Sequence, residues 1–214
     1  QAGIASAHPL ATAAGHEMLA AGGNAFDAAV AISATLAVVE QQSSGIGGGG
    51  FWLLHRAQDG KNVMIDGRET APAAAHKDMY LDEKGEVNRD QMLNGPLAAG
   101  IPGEIAGIAH IAEHYGKLSL KESLQPAIRA AEQGFEVYPR LVRHIKNKQK
   151  VLQRFPASKA LYLPEGEPLK VGDILVQKDL ATTLKRVADQ GVAGFYTGDT
   201  AEKLVKASRE NGGI

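Results

Sequence analysis

Four groups of residues in this sequence have types and spacings that suit chemistry. Gly45, Gly47 and Gly50, inside SSGIGGGGF (Ser43 to Phe51), satisfy G-x-G-x-x-G. In that pattern glycines let a dinucleotide pyrophosphate approach the backbone at a helix N-terminus. His110, Glu113 and His114 (HIAEH) satisfy H-x-x-E-H, which places two imidazoles on one helical face as zinc ligands. Thr182 and Thr183 in DLATTLKRV offer hydroxyl nucleophiles. Arg68, in Asp66-Gly67-Arg68-Glu69-Thr70-Ala71-Pro72, offers a guanidinium that can clamp a carboxylate with two parallel hydrogen bonds.

Each chemistry makes a demand on the elements around it. A dinucleotide cradle requires a strand before the glycines and a helix after them. Here a helical pattern precedes Gly45 and the apolar strand FWLL follows Gly50, so no helix N-terminus is aimed at the loop, and nucleotide binding is not expected. A nucleotide-binding module remains a rival reading, which titration with NAD or ATP tests. A catalytic zinc needs a third ligand, and the helix carrying HIAEH ends plainly at Tyr115-Gly116, so a solvated helix face is expected and no metal is assigned. A threonine nucleophile of the terminal kind needs a free α-amino group, which puts Thr182 and Thr183 among packing residues. Arg68 lies just past a strand end, where substrate contacts sit on a rigid scaffold; a surface ion-pair cluster with Asp66 and Glu69 is the alternative.

The elements read as follows. Gly3 to Ala7 is expected as a short strand entering Pro9, and Leu10, Ala13, Ala14, Met18 and Leu19 recur at helical spacing until Gly22-Gly23. Asn24 caps a second, alanine-rich helix to about Val39, with Asp27 in its first turn. Phe51 to His55 and Asn62 to Ile65 form a hairpin around Asp59-Gly60. Glu104 to Tyr115 is helical and closed by Gly116; Ser119 and Glu122 form a capping box ahead of a helix closed by Gly134. Further helices are expected at Pro139 to Arg154, Asp179 to Gln190 and Asp199 to Asn211, around the turn-rich LPEGEPLKVGD. The sequence reads as a single piece over 1–214, strand-containing over 1–100 and mostly helical over 101–214. At most four strands, all in the first third, face five or six amphipathic helices, so the sheet is expected to need strands from elsewhere in a larger protein.

Composition excludes several classes. The 23 lysines and arginines against 24 acids leave no net field for nucleic acid or anionic lipid. No apolar run reaches the roughly 18 to 20 residues that span a bilayer, so no membrane span is expected. The absence of cysteine excludes disulfides, thiolate nucleophiles and cysteine-ligated metals. A start at Gln1 is compatible with an already removed signal peptide.

Taken together, HPLATAAG (His8 to Gly15), AGGNAFDAAVA (Ala21 to Ala31), SSGIGGGGF, DGRETAP (Asp66 to Pro72) and GIPG (Gly100 to Gly103) resemble the gamma-glutamyltransferase family in order and density. The resemblance continues through YGKLSLKESLQPAIRAAEQGF (Tyr115 to Phe135), DLATTLKRVADQG (Asp179 to Gly191) and GFYTGDTAEKLVKASRENGG (Gly194 to Gly213), and so covers nearly the whole chain.

The resemblance implies an α+β fold that is part of a four-layer αββα N-terminal-nucleophile hydrolase sandwich, this chain matching the earlier part of the large subunit. It implies a self-cleaving precursor whose small subunit exposes a threonine. That threonine attacks a γ-glutamyl amide, with its own amine as base, and water or an amino acid resolves the ester. No metal or organic cofactor is implied. The nucleophile lies outside the residues matched here, so no catalytic residue is assigned in this chain and the chain by itself is expected to be inactive. By position, Arg68 is implied as the anchor of the α-carboxylate of a glutathione-like donor, with Glu69 orienting the guanidinium. The glycines are then a tight helix-to-strand passage. A periplasmic or extracellular location is implied by bacterial relatives. The rivals are a glutaryl or cephalosporin acylase of the same superfamily, which also needs Arg68 on a carboxylate, and a non-catalytic scaffold.

Overall fold

Proline at the first helical position and a side-chain acceptor just before it start helix α1 (Pro9–Ala20): His8 Nδ1 accepts from the Leu10 N–H at 3.2 Å. The computed structural model describes residues 2–214, which divide into two units. The first runs to Gly45 and resumes over Ile108–Gly191; the second comprises Ile46–Gly107 and Val192–Ile214.

In the first unit α2 (Ala25–Val39) begins with the expected Asn24 cap, which the structure extends into a capping box with Asp27. Asn24 Oδ1 accepts from the Phe26 and Asp27 amides, and Asp27 returns an oxygen to the Asn24 amide at 2.6 Å. Asp27 is fully buried and also accepts from the Lys117 and Leu118 amides at 3.0 Å. A side chain at Gly116 would lie 2.5 Å from the Asp27 carboxylate. The glycine that reads as a helix stop is therefore also the space this carboxylate occupies. Asp27→Asn puts an amide donor against those N–H groups, and we expect a loss of about 2 kcal/mol in urea unfolding.

Helices α5 (Leu120–Gln133) and α8 (Lys178–Gln190) complete this core, with α5 packed against both α2 and α8. Val30, Val38 and Val39 of α2, Leu124 and Ile128 of α5, and Leu184 and Val187 of α8 are all buried. Each contributes about 1.5–3 kcal/mol relative to exposure. Helix α6 (Pro139–Leu152) buries Leu141 and Ile145, and α7 (Pro156–Tyr162) follows it. The start of α6 is fixed to the end of α2 by a buried acid. Glu40, 2% exposed in its side chain, accepts from Tyr138 Oη at 2.6 Å and from Gln42 Nε2 at 2.9 Å. Burial first, then the bond to Glu40, pushes the Tyr138 phenol up to about 12.

The His8 ring packs on Tyr138, 5.1 Å between centroids. Burial lowers its pKa, against a smaller opposing pull from Glu40. The folded state thus binds fewer protons than the unfolded chain, so stability falls as pH drops below the unfolded value of about 6.5 and through the lowered folded one. Protonation also removes the Nδ1 acceptor that caps α1. His8→Asn keeps a capping oxygen and removes the titration. Its melting temperature is expected to change less between pH 7.5 and 5.5 than that of the parent, as differential scanning calorimetry would show.

In the second unit β1 (Gly50–Arg56) and β2 (Lys61–Gly67) form the expected antiparallel hairpin, with Phe51 opposite Asp66 and Leu53 opposite Met64. Gly60 turns it with φ 68°. Trp52 and Leu54 face inward, while Phe51, Leu53 and Met64 are exposed. The chain then continues through α3 (Arg89–Leu93) and a bridge pairing Thr70 with Ile101. Helix α4 (Glu104–Tyr115) gives its first turn to this unit and its remainder to the first. Helices α9 (Ala193–Tyr196) and α10 (Gly198–Glu210) end the chain.

Two expectations are corrected. Residues 3–7 form no strand: Ser6 turns the chain into α1, its hydroxyl bonded to the His8 carbonyl at 3.0 Å and to Thr12 Oγ1 at 2.8 Å. The strands are also not confined to the first third. Phe135–Glu136 (β3) pairs antiparallel with Ile174–Leu175 (β4), because Gly134, at φ 86°, reverses the chain straight out of α5. Two-residue strands carry no alternation that a sequence can display.

Candidate functional site

Three segments of the second unit cross at the end of β2, and each contributes a glycine where the backbones meet. A Cβ on Gly49 would lie 2.1 Å from the Gly67 carbonyl oxygen and 3.0 Å from Arg68 Cα. A Cβ on Gly103 would lie 2.2 Å from the same oxygen and 2.9 Å from the Arg68 oxygen. The Gly67–Arg68 peptide is thus held between Gly49 and Gly103, closer than any residue with a side chain permits. The Gly48 carbonyl accepts from the Gly103 and Glu104 amides at 2.9 and 3.0 Å, tying the glycine loop to the first turn of α4. The Trp52 ring fills the space beside Gly67 and Gly107, 2.6 and 2.4 Å from where their Cβ atoms would stand.

This crossing fixes the main chain under Arg68. Its amide donates to Asp66 Oδ1 at 3.0 Å, and two residues on, Thr70 and Ile101 exchange hydrogen bonds at 3.2 and 2.8 Å. The side chain is 69% exposed, with Glu69 Oε2 3.6 Å from its Nε. This is an exposed ion pair, too long for a hydrogen bond. The outer fork, with its two terminal nitrogens, makes no other ion pair among the described residues. Gly100 sits against Glu69 Cβ, where a side chain would come within 2.9 Å. Tyr196 Oη donates to the Pro102 carbonyl at 2.8 Å and receives the Ala106 amide at 3.3 Å, which holds the GIPG segment in place. Burial raises the phenol's pKa, so it stays a neutral donor.

The other sequence candidates fall elsewhere. Gly45, Gly47 and Gly50 lead from α2 into β1, and no helix begins behind them. The amides that open α4 are already taken by Gly48. His110, Glu113 and His114 are exposed on α4, with the two imidazoles edge to face at 4.2 Å. Among the described residues no group of three His, Cys, Asp or Glu has metal-binding geometry. Thr182 and Thr183 donate their hydroxyls to the Lys178 and Asp179 carbonyls at 3.0 Å, within α8. Sequence reading missed Trp52, Tyr196 and the partnership of Gly49, Gly67 and Gly103. The only signal was that DGRETAP and GIPG each place a glycine beside the candidate arginine or a helix start.

The site is that of a helix-rich α+β protein which presents one exposed arginine, ion-paired with its neighbouring glutamate, on a glycine-packed strand end. The chain belongs to the gamma-glutamyltranspeptidase family, whose model matches residues 11–214. It is 42% identical over 211 residues to a glutathione hydrolase proenzyme of Bacillus subtilis, covering 98% of this chain and 36% of that protein. It is 42% identical over 217 residues to the acylase ACY 1 proenzyme of a Pseudomonas species, covering 99% of this chain and 39% of the relative. The crystal structure of Helicobacter pylori gamma-glutamyltranspeptidase superposes with a TM-score of 0.96 at 41% identity, over all of this chain and 62% of that one. The chain spans about a third of the length of the curated relatives it matches. No helix among the described residues is long and apolar enough to cross a membrane.

Proposed function

We propose that this chain supplies the donor-carboxylate anchor of an enzyme that transfers a γ-glutamyl group from a glutathione-like donor to an amino acid, a peptide or water. The observation that carries the reading is the exposed Arg68 guanidinium, ion-paired with Glu69, on a main chain that three glycines pack tightly. A guanidinium so held meets a planar carboxylate with two parallel charge-assisted bonds and little further ordering. With the α-carboxylate fixed, the γ-amide is presented at a constant distance to a nucleophile.

In this reading the nucleophile is a threonine at the start of a small subunit produced by self-cleavage, as the family resemblance implies. Its amine takes the hydroxyl proton as the oxygen attacks the γ-carbonyl carbon. The amide nitrogen leaves protonated, and water or an amine then cleaves the ester. The exposed apolar outer face of the hairpin, Phe51, Leu53 and Met64, fits a sheet continued by further strands in a four-layer αββα sandwich. The proenzyme names of relatives support a two-subunit, processed protein.

An acylase acting on glutaryl groups is the second reading, favoured by the similarity to the acylase ACY 1 proenzyme. A γ-glutamyl anilide and a glutaryl anilide share the carboxylate and the scissile amide and differ only in the α-amino group. With the full-length processed protein we expect kcat/KM to be higher for the γ-glutamyl substrate. The reverse order establishes the acylase reading.

A further inference from the structure

The whole chain is nearly neutral, but its charge is not evenly spread. Residues 139–154 (PRLVRHIKNKQKVLQR) carry Arg140, Arg143, Lys146, Lys148, Lys150 and Arg154 and no acid. Helix α6 turns its apolar stripe, Leu141 and Ile145, into the core, and all five of its lysines and arginines are exposed. At 3.6 residues per turn, Arg140, Arg143, Lys146 and Lys150 fall within an arc of about 120° opposite that stripe, over about 15 Å of helix. Glu40, 3.6 Å from Arg140, is the one acid paired with this helix among the ion pairs described.

The surroundings decide which anion fits. Lys146 and Val142 share a depression of about 750 Å³ with Pro168, Lys170 and Val171, and Val171 is 56% exposed. Glu165, Glu167 and Asp173 line the same depression and oppose an anion locally, although Asp173 is engaged by the Lys170 amide at 2.7 Å. A straight cationic row with an exposed aliphatic side chain beside it, and no exposed aromatic on α6 to stack a base, matches a flat anionic lipid surface better than a nucleic acid.

We propose that the outer face of α6 docks the protein on anionic lipid bilayers, as a peripheral contact without insertion. The test is flotation of the purified full-length protein with vesicles of phosphatidylcholine containing about 30% phosphatidylglycerol, against pure phosphatidylcholine. We expect binding only to the anionic vesicles, abolished at about 0.5 M salt. Replacing Arg143, Lys146 and Lys150 with Gln should weaken it on the order of 100-fold. Replacing the exposed Lys61, Lys77 and Lys84 with Gln removes the same net charge and should leave binding intact. Absence of binding, equal loss in both triple variants, or binding to poly-glutamate or DNA but not to vesicles overturns the proposal. Catalytic turnover is expected to be unaffected in all variants, so the donor-site reading stands or falls separately.

Discussion

Replacing Arg68 with Ala in the full-length processed protein is expected to raise the KM for a γ-glutamyl donor and to lower kcat/KM roughly 30- to 800-fold, a loss of about 2–4 kcal/mol. The magnitude follows from losing a two-pronged, charge-assisted contact while leaving the donor's carboxylate without a partner. The Arg68 side chain is mostly exposed and its ion pair with Glu69 is a surface one, so the variant should unfold like the parent in denaturant. A kinetic loss with unchanged stability separates an anchoring role from a structural one. Arg68→Lys should fall between the two, because an ammonium keeps the charge and loses the fork. Steady-state kinetics with a chromogenic γ-glutamyl anilide measures all three proteins. An unchanged donor KM in the alanine variant removes Arg68 from the site.

The second large effect is expected at Gly103. Alanine there places a methyl 2.2 Å from the Gly67 oxygen, 2.7 Å from the Gly67 carbonyl carbon and 2.9 Å from the Arg68 oxygen. All three are main-chain atoms, and the strand end they belong to is pinned on its other side by Gly49. No side chain can swing aside to relieve the contact, so the cost is about 3 kcal/mol or more. Arg68 moves with the peptide, and activity should fall along with stability. Gly47 belongs to the same run of glycines, but open space surrounds the position of its Cβ. Gly47→Ala is expected to stay within about 0.5 kcal/mol of the parent. Paired denaturant titrations of the two variants check this. Similar losses at both positions would mean that the loop needs flexibility in general rather than room at particular crossings.

What the sequence revealed depended on how local the physics was. The Asn24 cap, the Ser119 capping box, the Asp59-Gly60 hairpin and the glycine stops after α4 and α5 use interactions within a few residues, and they stand where the spacing placed them. The β3–β4 pair joins residues nearly forty positions apart and has no periodicity, so it stayed hidden. The supposed strand at residues 3–7 had the right composition but no partner, because Ser6 and His8 were already committed to starting α1. At the site, Arg68 was legible as a guanidinium past a strand end, and Glu69 lies 3.6 Å from it. The requirement for Gly49 and Gly103 was not legible, since it arises only when distant segments cross. Asp27 was read as a helix-dipole residue; its larger role, holding the turn after α4, depends on the same kind of long-range meeting.

The central claim is that Arg68 reads the donor's α-carboxylate, and a substrate-and-residue cycle tests it most directly. A γ-glutamyl anilide is compared with a 4-aminobutyryl anilide, which lacks only that carboxylate, in the parent enzyme and in Arg68→Ala. If the two groups touch, deleting either should cost about the same in kcat/KM, and deleting the second should cost little more, a coupling of about 2 kcal/mol or above. Losses that simply add, with coupling inside about 0.5 kcal/mol, would place the carboxylate against some other residue.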